Sequence, residues 1–175
     1  NDCVASDQLA FDFLDSHPGE YAPVITDALE HLATQSGLEA RGAVFTRSEV
    51  VDFILDLVGY TVDRPLHEMR LLEPSFGGGD FLVAAVHRLL GAWRTQKDSG
   101  SPDCLVNAIR AVELHRETYR STHVSIVELL IREGFATEEA TLLADAWLLQ
   151  DDFLLTRLDG RFDVVVGNPP YVRQE

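Results

Sequence analysis

The chain has 175 residues, of which 46% are hydrophobic and 25% are charged, a composition typical of a globular protein with one core. No apolar run approaches the roughly 20 residues that a membrane span needs, the acidic N-terminus lacks the basic region of a signal peptide, and two cysteines make no disulfide framework, so we expect a cytoplasmic protein without membrane contact. The formal net charge of −15 opposes binding to a phosphate backbone, so a nucleic-acid function requires positive charge from another source.

The first part of the chain is predicted to be helical. Apolar residues at helical spacing indicate helices at 6–16 and 21–35. A third helix is predicted at 46–60, because Thr46 stands three residues before Glu49, the spacing of a capping box, and an apolar stripe follows.

Strands and helices alternate in the remainder of the chain. The predicted strands are 69–74, 105–114, 146–150 and 162–167. The predicted helices between them are 77–93, 117–133 and 137–145. Thr137 is the expected N-cap of the last helix. This alternation implies right-handed crossovers and a parallel sheet, so the predicted fold class is α/β.

The unusual polar residues follow the ends of the predicted strands. Residues 73–79 follow the first strand, Glu113 ends the second, Asp152 follows the third and Asn168 follows the fourth. In parallel sheets, ligands bind at the carboxyl ends of the strands. We therefore expect these segments to form one shared site.

A run of glycines follows the first predicted strand. Gly77, Gly78 and Gly79 either allow a ligand to approach the backbone closely or form a tight turn between strand and helix. The spacing is not that of a dinucleotide fingerprint or a P-loop. Glu73 and Asp80 are poor neighbours for a pyrophosphate and suit a ligand with positive charge, such as an ammonium or a sulfonium group.

Three further residues complete a hypothetical nucleoside site. Glu113 is either an acceptor for the two hydroxyls of a ribose or a solvated loop acid. Asp152 is a candidate acceptor for an exocyclic amine, and Phe153 is either a ring face for adenine or part of the core. Ribose, adenine and a cationic amino-acid tail together indicate S-adenosylmethionine. The histidines show no metal-ligand spacing, so no metal is expected.

Five segments in order resemble one family, the amino-group DNA methyltransferases, and among them the adenine-N6 enzymes of the gamma arrangement. The segments are GAVFTRSEVVDFI, EPSFGGGDFL, VEL, DDFLL and FDVVVGNPPY. The resemblance implies a Rossmann-like methyltransferase sheet in residues 42–175, after an N-terminal helical segment in residues 1–41. It assigns S-adenosylmethionine binding to Thr46, Glu73, Ser75, Gly77, Gly79, Glu113, Asp152, Phe153 and Asn168.

The same resemblance assigns catalysis to Asn168, Pro169, Pro170 and Tyr171. It implies that the side-chain oxygen of Asn168 and the carbonyl of Pro169 accept the two N–H groups of the target amine, and that Tyr171 stacks on a flipped base. The prolines fix the direction of the accepting carbonyl. Since a sulfonium is already a good leaving group, the reaction needs positioning rather than a metal. Thr46 has a second possible role as a helix cap.

Some residues depart from the family pattern. Phe76 is bulky where relatives often carry a small residue, and it either narrows the cofactor loop or packs beneath it. His115 and Arg116 follow Glu113 where Asp and Pro are frequent. Two other functions stay open: a methyltransferase for protein glutamine or an RNA base amine, and a non-catalytic scaffold. A nicotinamide dehydrogenase is disfavoured by the glycine spacing and by the closing motif.

The family sheet has seven strands, and four are predicted here. An apolar parallel strand left open at an edge is an aggregation hazard. We therefore expect this chain to be a piece of a restriction-modification or phage-defence enzyme, inactive alone and completed by a C-terminal half or a second polypeptide. The DNA-recognition region is expected on the missing part, where it would supply the positive charge.

Overall fold

A computed structural model describes residues 48–95 and 101–168. All of them lie in one compact unit, Phe45–Glu175. The predicted helices at 6–16 and 21–35 and the proposed segment 1–41 lie outside the described residues, as does Thr46 with its capping role. The same holds for Pro169, Pro170 and Tyr171.

Four short strands form one sheet in the order β3-β2-β1-β4, and every neighbouring pair is parallel. The strands are β1 Leu71–Glu73, β2 Ile109–Glu113, β3 Leu148–Gln150 and β4 Val164–Val165. β1 lies inside the sheet and is buried along its whole length, which explains its uninterrupted apolar sequence up to Glu73. The predicted α/β fold with a parallel sheet is confirmed.

Four α-helices connect and flank these strands. They are α1 Ser48–Leu57, α2 Asp80–Thr95, α3 Arg116–Arg132 and α4 Thr137–Trp147. Two 3-10 helices, Leu66–Glu68 and Pro102–Leu105, precede β1 and β2. α1 packs on α2, and α3 packs on α4. No helix within the described ranges is long and apolar enough to cross a membrane.

The hydrophobic core lies between the sheet and the helices that cover it. α2 buries seven residues, including Phe81, Leu82 and Leu89, so most of its circumference faces protein. α3 buries a narrower stripe formed by Ile126, Leu129 and Leu130 together with Thr122, a polar residue. Helical periodicity accounts for the burial of Thr122, but a hydroxyl at a buried position needs a hydrogen-bond partner.

The boundary between α4 and β3 differs from the prediction. Trp147 was predicted in a strand but ends α4. Its side chain is fully buried, and its indole N–H donates to the carbonyl of Leu105 at 2.9 Å. The N-cap of α4 is Ala136, whose N–H donates to Glu139 at 3.0 Å, so the prediction of Thr137 as the cap is wrong.

Several arginines are used inside the fold. Arg88 on α2 contacts Asp52 and Asp56 on α1 and donates to the carbonyl of Tyr60 at 3.1 Å. Arg94 on α2 pairs with Glu133 at the end of α3. These guanidinium groups join neighbouring helices to one another.

Arg70 holds the segment before β4 through hydrogen bonds to its backbone. Its guanidinium donates to the carbonyls of Asp159 and Arg161 at 2.9 and 3.1 Å and lies 4.6 Å from the ring centre of Phe162. Its backbone N–H donates to the carboxylate of Asp163 at 2.7 Å. The start of β4 is thereby fixed beside the start of β1.

Candidate functional site

The loops that follow β1, β2, β3 and β4 leave the sheet at the same edge, because all four strands run in one direction. Glu113 at the end of β2 pairs with Gln150 at the end of β3, and the N–H of Asp151 donates to the carbonyl of Glu113 at 3.1 Å. On the other side, Val166 donates its N–H to the carbonyl of Leu72 at 3.0 Å. Asn168 therefore lies two residues beyond a point still paired with β1.

The glycine loop is a turn between β1 and α2 with an open outer face. Gly77 and Gly79 have φ angles of 50° and 86°, which side chains other than glycine rarely adopt. The N–H of Gly79 donates to the carbonyl of Phe76 at 2.7 Å and closes the turn. A Cβ atom placed on Gly77 or Gly78 would meet no heavy atom within 4 Å. The loop thus has both properties that its sequence left as alternatives: it is a tight turn, and its backbone faces open space.

Phe76 packs beneath the glycine loop. Its side chain is buried, its ring centre lies 6.4 Å from that of Tyr119 on α3, and its N–H donates to the carbonyl of Val112 at 3.1 Å. The ring belongs to the hydrophobic core. Of the two expectations for this residue, packing under the loop describes its position.

Glu113 connects the glycine loop to the end of β2. Its Oε2 accepts the N–H of Gly77 at 2.9 Å, and its Oε1 accepts the N–H of His115 at 2.8 Å. The residue is only 4% exposed. Each carboxylate oxygen has a second lone pair, so acceptor capacity for a ribose remains. The contacts of Glu113 with protein atoms hold the loop, and its ribose role stays a prediction.

Glu73 is a buried carboxylate beside the same loop. It is 1% exposed, and its Oε2 makes no hydrogen bond with any described residue. Burial, together with the smaller effects of the nearby carboxylates of Asp80 and Glu113, raises the pKa of Glu73 from 4.5 to about 8. A buried acid with an unpaired oxygen and two acidic neighbours favours a ligand that brings positive charge.

The loop after β3 carries Asp152 and Phe153, both half-buried. One carboxylate oxygen of Asp152 accepts the N–H of Leu154 at 2.9 Å, which orders the turn. Leu154 and Leu155 are 86% and 82% exposed. Ser75 and Asn168 are also half-buried at this edge. The proximity of Asn168 to the β1 loop is indicated by Gly167, where an added Cβ would lie 3.5 Å from Cδ of Pro74.

One residue of the site was missed in the sequence. The hydroxyl of Thr122 on α3 donates to the carbonyl of Gly77 at 3.0 Å. Its methyl carbon lies 2.9 Å from the position of an added Cβ on Gly79. A signal was present, since Thr122 stands four residues before Ile126 on the buried stripe of α3. No group of histidine, cysteine or acidic side chains in the described part of the chain has the arrangement of a metal site.

The family model described as Eco57I restriction-modification methylase matches residues 70–175. The chain belongs to this family. The matched region begins at Arg70, so it includes β1, the glycine loop and all the candidate site residues except Thr46. In this member of the Eco57I methylase family, the four-stranded sheet described above brings the glycine loop, Glu113 and the loop after β3 into contact at one edge.

Individual relatives of this Eco57I methylase family member carry the name Type II methyltransferase. M.PaeR7I of Pseudomonas aeruginosa is 66% identical over 149 residues, which are 85% of this chain and 26% of the relative. M.BstVI of Geobacillus stearothermophilus is 45% identical over 150 residues, or 82% and 27% of the two chains. M.XhoI of Xanthomonas vasicola is 46% identical over 139 residues, or 78% and 26%. The chain spans about a quarter of the length of these curated relatives. No solved structure matches it.

Proposed function

We propose that this chain is part of the catalytic domain of a restriction-modification DNA methyltransferase that uses S-adenosylmethionine and modifies the N6 amine of adenine. The observation that carries the proposal is the adjacency of β1 and β4 in a family member. This adjacency brings the segment after the glycine-loop strand and the segment of Asn168 to one edge of the sheet. A donor site and an acceptor site beside each other are what a direct group transfer requires.

The donor side fits a cationic nucleoside with an amino-acid tail. The buried, unpaired carboxyl oxygen of Glu73 suits its ammonium or sulfonium group, because a cation bound there would favour the ionised form of this acid. The open face of Gly77 and Gly78 leaves room beside the backbone. Glu113 keeps lone pairs for the ribose, and Asp152 with Phe153 lies next along the edge for the adenine. When bound, S-adenosylmethionine supplies a methyl group activated by its positively charged sulfur.

The acceptor side is assigned to the closing motif. We propose that the amide oxygen of Asn168 and the carbonyl of Pro169 accept the two N–H groups of the target amine. These hydrogen bonds turn the nitrogen lone pair out of conjugation with the ring and towards the donor. Pro170 restricts the backbone around that carbonyl, and Tyr171 stacks on the base once it has left the duplex.

DNA is favoured over the other acceptors because M.PaeR7I, M.BstVI and M.XhoI are all named Type II methyltransferases. The net charge of −15 makes this segment unsuited to hold the duplex by itself. We therefore propose that basic surfaces in the remainder of an enzyme as long as these relatives bind and read the DNA, and that the active site forms only there.

A transfer assay with the full-length protein tests this proposal. The protein is incubated with tritiated S-adenosylmethionine and, separately, with unmethylated DNA, RNA and protein, and the labelled DNA is digested to nucleosides. We expect label only in N6-methyl-2′-deoxyadenosine from DNA and none with the Asn168→Ala variant. Exposed Glu128→Gln on α3 is the control that keeps full activity. Label in cytosine, in RNA or in protein glutamine would contradict adenine in DNA as the substrate. Absence of S-adenosylmethionine binding would favour a non-catalytic scaffold.

A further inference from the structure

Gly77 is held at both of its backbone polar groups by side chains from outside the loop. Its N–H donates to Glu113 at 2.9 Å, and its carbonyl accepts from the hydroxyl of Thr122 at 3.0 Å. Thr122 is 4% exposed and lies 45 residues along the chain from Gly77, on a helix that carries none of the motif residues. Its hydroxyl is therefore committed to a glycine that sits at the centre of the candidate site.

The bond from Thr122 also fixes the next peptide group. The peptide bond between Gly77 and Gly78 is trans, as are all the described ones, so its carbonyl and N–H point in opposite directions. Because the carbonyl of Gly77 faces Thr122, the N–H of Gly78 faces away from α3. Gly78 is exposed, and an added Cβ there would meet no heavy atom within 4 Å. The donor thus points towards the open face of the loop.

We propose that Thr122 is a positioning residue that aims the N–H of Gly78 at the carboxylate of the ligand's amino-acid tail. This inference rests on the proposed function, since the carboxylate is the only anionic group of S-adenosylmethionine. Without the hydroxyl of Thr122, the peptide group between Gly77 and Gly78 loses the bond that holds its carbonyl and rotates more freely, and ordering this group on binding lowers affinity. The methyl group of Thr122 adds a steric limit, because it abuts Gly79.

The test compares Thr122→Val, which keeps the shape but removes the donor, with Thr122→Ser, which keeps the donor, in the full-length protein. Calorimetry is expected to show an S-adenosylmethionine Kd raised on the order of fivefold to tenfold in Thr122→Val and restored to within about twofold in Thr122→Ser. The Kd of 5′-methylthioadenosine, which lacks the tail, is expected to change by less than about twofold. If Thr122 only maintained the fold, Thr122→Val would weaken the binding of both ligands by the same factor.

Thr141→Val on α4 is the matched control. It also removes a hydroxyl that donates to a backbone carbonyl, at 2.8 Å, but the accepting residue is Thr137 within the same helix. Its S-adenosylmethionine affinity should equal that of the wild type. The inference would be overturned if Thr122→Val bound S-adenosylmethionine as tightly as the wild type does. It would also be overturned if Thr122→Val lost the same factor of affinity for S-adenosylmethionine and for 5′-methylthioadenosine.

A ligand-free readout separates this inference from the proposed function. In nuclear magnetic resonance spectra, Thr122→Val should shift and broaden the amide signals of Gly77, Gly78 and Gly79, whereas Thr141→Val should leave them in place. If the wild type does not bind S-adenosylmethionine, the proposed function fails while the amide signals still report on the loop. Unchanged glycine signals in Thr122→Val would refute the positioning role itself.

Discussion

Replacement of Glu73 by glutamine should make the stability of the protein less dependent on pH. The folded protein retains the proton of Glu73 up to about pH 8, whereas the unfolded chain loses it near 4.5. For a carboxyl group with a raised pKa, the stabilising contribution is fully present below pH 4.5 and is lost as the pH rises to about 8. Glu73→Gln cannot ionise, so it avoids this loss.

The expected size follows from the two pKa values. A rise from 4.5 to about 8 corresponds to about 5 kcal/mol at pH 9, at about 1.4 kcal/mol for each pH unit. Glu73 is 1% exposed, so solvent screens little of this effect. Relative to the wild type, Glu73→Gln should therefore gain unfolding free energy between pH 5 and 9, with most of the gain reached by pH 8.

Chemical denaturation followed by the fluorescence of buried Trp147 measures the difference at several pH values. The other carboxylates are present in both proteins. The difference in unfolding free energy between the two therefore reports the ionisation of Glu73. Glu128→Gln removes an exposed carboxylate and serves as the matched control, which should follow the wild type at every pH. A constant difference between Glu73→Gln and the wild type from pH 5 to 9 would show that Glu73 ionises normally and would refute the reasoning.

Three further substitutions should lower the unfolding free energy, each measured by denaturation. Gly79→Ala should cost about 1–3 kcal/mol, since φ is 86° and the new Cβ would lie 2.9 Å from Thr122. Trp147→Phe should cost about 2 kcal/mol through a small cavity and the unpaired carbonyl of Leu105. Arg88→Ala should cost about 1–3 kcal/mol, because it removes the ion pairs from α2 to Asp52 and Asp56 on α1 and the bond to the carbonyl of Tyr60.

Matched controls separate these causes. Gly78→Ala meets open space at a φ that is not positive and should change stability by less than about 0.5 kcal/mol. Trp93→Phe removes a buried indole N–H without a partner among the described residues, so it should cost less than Trp147→Phe. Arg120→Ala removes one exposed pair within α3 and should cost less than about 0.5 kcal/mol. Equal losses in a variant and its control would contradict the cause given for that variant.

The order and type of the elements were predictable because each strand and helix has its own pattern of apolar residues. The first strand was predicted at 69–74 and lies at Leu71–Glu73, since an apolar run that meets a charge and a proline ends there. Trp147 was misassigned because a short apolar run fits a buried helix end as well as a strand. Its position depends on a bond to Leu105, a distant residue that local periodicity does not reveal.

The sequence predicted which residues of the site lie at the ends of strands. It did not predict the hydrogen bonds that form between segments distant in the chain. The glycine loop and Glu113 meet because parallel strands share an edge. The sequence did not reveal that Glu113 accepts two backbone N–H groups, because these bonds form only once the loop folds over β2. Thr122 was missed for the same reason, since its partner Gly77 is 45 residues away.

The arginines inside the fold have a consequence for how an enzyme containing this segment would respond to salt. Each phosphate neutralised by a protein cation releases condensed counterions, and the number released sets the slope of log affinity against log salt concentration. The guanidinium groups of Arg70, Arg88 and Arg94 already face carboxylates or carbonyls within the protein. Bonds within the protein therefore engage these three cations, and we expect none of them to add to that slope.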